Sequence, residues 1–248
     1  MKFNDYVYQR PDFEQNASNV KQLIVQIKSA SSVQEQLDFI KEINRIRNHV
    51  STMSTLSSIR HSIDTRDAFY EMENDYWDQQ NPLYEELSVE FYKAVLNSPF
   101  LDELKQKLPI TFFKLADCSL KAFDSSIIEE MQEENRLASS YGKLLASAQI
   151  EFDGKVYTLS QLTPFTLNVD RDMRKRAIDA KTGFLKEHEA EIDAIYDQLV
   201  TLRTEIARKL GYESFIELGY LRMQRMDYDA SMVAEYRKQV LAQIVPVA

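Results

Sequence analysis

Between Asp170 and Gly211, apolar or small residues recur at spacings of three and four: Met173, Ala177, Ala180, Phe184, His188, Ile192, Ile195, Leu199, Leu202, Ile206 and Leu210. That spacing puts them on one face of an α-helix, because 3.6 residues complete a turn. Asp170 offers an N-cap acceptor at one end. Gly211 tolerates at the other the left-handed backbone that ends helices. The pattern predicts one helix from about Arg171 to Leu210, roughly 60 Å long. Arg174, Lys175, Asp179, Lys186, Asp193 and Arg203 fall on the opposite face, a mixture that water solvates. A chain built on such an element is a helical scaffold with buried stripes.

Composition agrees with this reading. Five glycines, six prolines and 28% charged residues in 248 suit helices better than sheets, and 44% hydrophobic residues are ample for a core. The expected class is all-α, with long antiparallel helices. One exception is expected near residues 148–158. There Ile150, Phe152, Val156 and Tyr157 flank Asp153-Gly154, the pair that a tight hairpin turn requires.

Upstream, Pro11 fits the first turn of a helix reaching about Ser29, and Ser32 with Glu35 reads as a capping box opening a second long helix towards His61. An acidic helix follows from Thr65 to about Gln79, and Pro82 starts another. Trp77 reads as a packing anchor with its indole N–H at a polar edge. Leu108-Pro109 marks a subdomain boundary. Residues 1–108 then form an N-terminal helical subdomain, 109–182 hold helices and the hairpin, and 183–248 open a further part. The last helix runs from Asp229 to about Ile244.

Little chemistry is visible in the residues themselves. Asp67, Glu71, Glu73, Asp75 and Asp78 could ligate a metal or act as acid and base, but no histidine or cysteine stands at ligand spacing among them, so a solvated face is expected. His49, His61 and His188 do not form a zinc pair by local spacing. His61 reads as a structural or exposed side chain, His188 as a packed one, and Cys118 as a small buried residue. No glycine-rich phosphate loop or nucleophile motif is present. A net charge of −9 argues against nucleic acid. A single cysteine, an N-terminus without an apolar signal core and no apolar stretch of roughly 20 residues point to a cytoplasmic chain that avoids membranes.

The run EIARKLGYESFIELGYLRMQRMDYDA ending at Ala230 resembles the M3 family of zinc metallopeptidases, in particular the oligoendopeptidase F group. The likeness extends through LLASAQIEFDGKVYTLSQLTPF from Leu144 to Phe165, and STMSTLSSIRHSIDTRDAFYEMENDYWD from Ser51 to Asp78. It covers essentially the whole chain. Implied are a mostly helical peptidase fold with two lobes around a channel, and proteolysis of short peptides by a zinc hydrolase. In such enzymes HExxH on a helix holds zinc through two histidines while the glutamate activates water. Here His188-Glu189 begins such a motif, but Ile192 stands where the second histidine belongs.

The resemblance therefore implies an N-terminal portion, with 183–248 as the start of the catalytic domain, no cofactor in this chain and zinc only in the complete family enzyme. The expected partners are short peptides and a C-terminal catalytic part. This chain alone is expected to be inactive. Tyr220, Arg222 and Arg225 are candidate substrate-wall residues, since arginine and tyrosine suit a peptide's carboxylate or backbone, and surface salt bridging is their alternative role. A rival reading is a non-catalytic helical module from a truncated gene that binds peptides or protein partners. A metal-binding bundle would need ligand pairs that the sequence does not offer.

Overall fold

A computed structural model describes residues 3–248. Eleven α-helices, one two-stranded hairpin, 3₁₀ turns at Phe3–Asp5 and Ser125–Ile127 and a π-helical turn at Val240–Ile244 make up its regular structure among these residues. The helices are α1 (Phe13–Ser29), α2 (Val33–Ile63), α3 (Ala68–Leu96), α4 (Leu101–Lys107), α5 (Ile110–Ala122), α6 (Ile128–Ala146), α7 (Thr163–Thr166), α8 (Arg171–Glu187), α9 (Glu189–Lys209), α10 (Phe215–Arg222) and α11 (Ala230–Gln239). The strands are β1 (Ile150–Phe152) and β2 (Lys155–Tyr157). The all-α class with its one hairpin is as the sequence predicts. No helix among the described residues is long and apolar enough to cross a membrane.

The chain divides into two compact units, each made of three separated segments. The first holds residues 1–11, 48–82 and 129–202. Its hairpin turns on Asp153 and Gly154, with φ of 48° and 76°, the double positive φ of a type I′ turn. Ile150 pairs with Tyr157 and Phe152 with Lys155, so Ile150 and Phe152 point inward together. They join Ala148, Leu162 and Ala177 in one apolar cluster, on which Tyr157, Phe165, Met173 and Phe184 pack.

Elsewhere in this unit α3 carries a polar core. Glu73 is almost fully buried and accepts hydrogen bonds from Arg10 (Nη2 at 2.5 Å, Nε at 3.0 Å) and from the Tyr8 hydroxyl. The buried Trp77 donates its indole N–H to the same hydroxyl at 3.1 Å, the polar-edge anchor that was expected. Burial alone would push the Glu73 carboxyl up, but the bonds from Arg10 and Tyr8 outweigh it and hold it below the usual range. Glu71 binds Lys143 and His61, and Asp67 caps α3 by accepting from the Phe69 and Tyr70 amides. The acids of α3 are thus largely partnered, where a solvated face was expected, because α2, α6 and the N-terminal segment bring cations and hydroxyls to them from far along the chain.

Pro82 does not break α3, contrary to the sequence reading. A proline inside a helix removes one N–H and leaves the carbonyl four residues back without its usual donor. That carbonyl belongs to Asp78, and Asn135 of α6 donates to it at 2.9 Å. Gln132 donates likewise to the carbonyl of Gln79 at 2.9 Å. The neighbouring helix supplies what the proline withholds.

The helix expected from Arg171 to Leu210 is two helices joined at His188, whose φ of −102° and ψ of 12° leave the helical well. Its ring rests on Phe184, with centroids 4.5 Å apart. Glu189 and Glu191 then lie in the first turn of α9, where negative charge is favoured. The apolar stripe keeps its phase across the joint: Ala177, Ile195 and Ile206 are buried and its other members partly so.

The second unit holds residues 12–47, 83–128 and 203–248. Asp12, and not Pro11, opens α1, accepting from the Gln15 amide at 2.9 Å. Of the box at Ser32, one arm forms, Glu35 N–H to the Ser32 hydroxyl at 3.3 Å; the Glu35 carboxylate turns to the Ser31 amide instead. The core gathers Val20, Ile24 and Ile27 of α1, Ile40 and Ile43 of α2, and Leu87, Phe91 and Val95 of α3, all buried. The fully buried Gln36 donates to the Ile27 carbonyl at 2.7 Å and accepts from Ser98 at 2.6 Å, so its amide is satisfied on both sides.

Candidate functional site

Two helix endings in the second unit build the site. At the end of α9, Gly211 takes φ +84°, its amide reaching the Arg208 carbonyl at 3.0 Å and the Tyr212 amide the Ala207 carbonyl at 2.9 Å. This pair of bonds is a Schellman motif, which turns the chain towards α10. Tyr212 donates its hydroxyl to the Lys121 carbonyl at 2.8 Å, and α10 packs on α5.

The same motif recurs at the end of α10. The Gln224 amide bonds to the Leu221 carbonyl at 2.9 Å and the Arg225 amide to the Tyr220 carbonyl at 3.0 Å. Gln224 holds φ +54° without being glycine, which costs about 1 kcal/mol. Through this turn Arg225 is brought back over the helix that precedes it. Its guanidinium lies 4.8 Å from the Tyr220 ring centroid and 5.5 Å from that of Tyr228, two cation–π contacts. Asp229 then caps α11, accepting from the Ser231 and Met232 amides.

Around them is an open cleft of about 680 Å³, walled by Tyr212, Tyr220, Arg225 and Tyr228, with Lys121 and Ile216. Rings and an aliphatic side chain provide apolar surface, and a guanidinium held by two tyrosines offers a carboxylate a directed charge. This chemistry suits binding, and Glu217 and Asp229 add two carboxylates to the lining.

Of the three sequence candidates, Tyr220 and Arg225 therefore meet in one cleft. Arg222 does not line it. Two residues beyond Tyr220 on a helix, it points to another face. There its guanidinium lies 5.8 Å from the Phe215 ring and beside Glu85, whose carboxyl burial pushes up against the pull of Arg47 and Arg222. Tyr212 and Tyr228 stand in or beside the quoted run and were legible there as aromatic residues. Lys121 comes from α5, ninety-odd residues earlier, and no local signal announces it.

The histidines take separate places. His61 is buried, with Nε2 2.8 Å from Glu71, His49 is exposed, and His188 is half-buried on Phe184. Among the described residues no three His, Cys, Asp or Glu side chains converge to hold a metal ion. The donors that a zinc centre requires are not assembled by these residues.

Residues 3–123 match the Peptidase M3 N-terminal domain family. Over its full length the chain is similar to a chain assigned as oligoendopeptidase F and solved by X-ray crystallography, with 46% identity and a TM-score of 0.96, spanning 44% of that chain. A second oligoendopeptidase F assignment, from Bacillus anthracis str. Ames, gives 46% identity and 0.95 over 45% of its length. PZ peptidase A with an inhibitor gives 47% and 0.95, covering 99% of this chain and 44% of that one. The chain thus spans less than half the length of these solved structures and corresponds to their N-terminal portion. No curated protein matches it.

Proposed function

We propose a function from the premise that this chain belongs to the M3 peptidase family, as an N-terminal portion of the oligoendopeptidase F kind: it is the N-terminal part of a cytoplasmic zinc oligoendopeptidase that hydrolyses short peptides. Its role is to wall the peptide's path, with residues 183–248 opening the peptidase part and no hydrolytic activity of its own. The observation that carries this reading is the end-to-end structural likeness at close to half identity. The surface of the second unit supports it as well. Met232, Tyr236, Leu241 and Ile244 are each 55–68% exposed, an apolar run that further polypeptide would cover.

In the complete enzyme zinc would polarise the scissile carbonyl and activate water. The residues of this chain would bind and orient. Arg225 presents its charge to a peptide carboxylate, while Tyr220 and Tyr228 flank it and offer ring surface to the neighbouring side chain.

Zinc calorimetry and a quenched-peptide cleavage assay on the 248-residue chain test the reading. We expect neither stoichiometric zinc binding nor turnover, and either result would overturn it. Light scattering discriminates the rival: concentration-dependent self-association is expected, whereas a monodisperse monomer would favour an independent interaction module. For the cleft, Arg225→Ala is expected to weaken binding of a fluorescent peptide with a free C-terminus roughly tenfold, about 1.4 kcal/mol. Arg222→Ala should leave that affinity unchanged, and equal losses in the two variants would remove the cleft from the substrate path.

A further inference from the structure

A second cavity, in the first unit, plays no part in that reading. It measures about 410 Å³ and lies among α2, α3 and α6, within the roughly 300–1,000 Å³ range of small-molecule pockets. Serines, asparagines and small residues make up most of its wall, together with three titratable side chains, His61, Asp78 and Lys143.

His61 and Lys143 are engaged by carboxylates that do not line the cavity. Both bond to Glu71, His61 through Nε2 at 2.8 Å, and Lys143 also lies 3.8 Å from Asp75. Asp78 has no such counterpart. Its Oδ2 accepts from the Ser139 hydroxyl at 2.6 Å and from the Asn74 amide at 3.2 Å, both neutral. Among the described residues no cation pairs with this carboxylate, and its Oδ1 accepts no hydrogen bond although it is not sealed from solvent. Burial pushes the carboxyl above its ordinary range and Asp75 adds to the rise, which the bond from Ser139 and the charges of Lys143 and His61 do not cancel. A carboxylate drawn from water without a cation costs free energy that a positive ligand recovers.

A metal ion needs more donors than this. Among the described residues no three His, Cys, Asp or Glu side chains converge. An ammonium group fits better, because one N–H can reach Oδ1 and the others the neutral hydroxyl and amide oxygens of the wall. Ala138, Gly142 and Ala146 recur one turn apart on α6, all exposed, and give a short carbon chain a strip of small apolar surface.

We propose that this cavity binds a small organic cation by its primary ammonium group, which Asp78 holds while the carbon chain lies along Ala138, Gly142 and Ala146. The proposal is independent of the peptidase reading, since the cavity and the Arg225 cleft share no residue.

The test is saturation-transfer-difference NMR on the 248-residue chain with butylammonium chloride, with 1-butanol as its neutral counterpart and potassium chloride as competitor. Saturable butylammonium signals are expected, at least roughly tenfold tighter than those of 1-butanol and surviving an equal concentration of potassium chloride. Asp78→Asn keeps an oxygen for Ser139 and removes the charge. It should weaken butylammonium roughly tenfold or more and leave 1-butanol unchanged, a difference that a general loss of structure would not produce. Gly142→Leu should weaken both by filling the strip; a Cβ there meets nothing within 4 Å, so this variant keeps the test open if Asp78→Asn does not fold. Displacement of butylammonium by alanylalaninamide would identify the ammonium as a peptide's N-terminus, and its failure to displace would identify a free amine. No saturable butylammonium signal, binding no tighter than that of 1-butanol, affinity unchanged in both variants, or displacement by potassium chloride would overturn the proposal.

Discussion

Glu73→Ala is expected to destabilise the first unit by about 2–4 kcal/mol, read from urea unfolding at pH 7. The carboxylate is 3% exposed and joins Arg10 and Tyr8, which Trp77 holds from the other side. Its removal leaves the Tyr8 hydroxyl, which still accepts from Trp77, without an acceptor for its own proton and opens a space where the side chain was. Arg10 is 47% exposed and can return to water, which keeps the estimate below that for a fully buried pair. Glu73→Gln retains an acceptor for Tyr8 and loses only the charge, so it should cost less, about 1–2 kcal/mol.

The pH dependence carries a sign. The folded carboxyl titrates below the ordinary value of 4.5. Its contribution is therefore fully present above that pH and is lost as pH falls through the folded value. Stability profiles of the parent and Glu73→Ala should converge on acidification. A gap of the same size at pH 3 as at pH 7 would show that the charge contributes nothing.

Phe91→Ala is expected to cost about 3–5 kcal/mol in the second unit. The ring is 0% exposed, tilted on Tyr92 with centroids 5.2 Å apart and edge-on to Phe112 at 6.2 Å, and the Arg47 guanidinium lies 5.5 Å from its centre. Truncation loses the transfer energy of the ring and leaves a void that neighbouring helices fill only in part. Phe91→Leu keeps more of the volume and should cost under about 2 kcal/mol. A loss below about 1 kcal/mol for Phe91→Ala would mean that this part of the core collapses freely.

Signals confined to a few neighbouring residues were readable without coordinates. Asp153-Gly154 specifies its turn because both positions need positive φ. The stripe from Met173 to Leu210 identifies the inward face because side-chain direction follows the helical period alone. That same stripe is silent at His188, since a single bent residue leaves spacings of four on either side undisturbed. Pro82 and the acids of α3 were misread for one common reason. Their partners, Asn135, Lys143, Arg10 and Tyr8, lie 57 to 72 residues away. The candidate cleft divides in the same manner: Tyr220 and Arg225 sit in one quoted run, Lys121 arrives from α5, and Arg222 leaves the group because two residues are more than half a turn.

The repair of α3 by α6 also bears on the order in which the chain acquires its shape. During synthesis at roughly 5–20 residues per second, Pro82 emerges seconds before Asn135 and Gln132 can reach the carbonyls of Asp78 and Gln79. In that interval water must serve the Asp78 oxygen, the one the proline leaves without a helical donor, and the segment around the proline has reason to stay bent or frayed. Its straightening is a late event, set by the arrival of a helix encoded some fifty codons downstream.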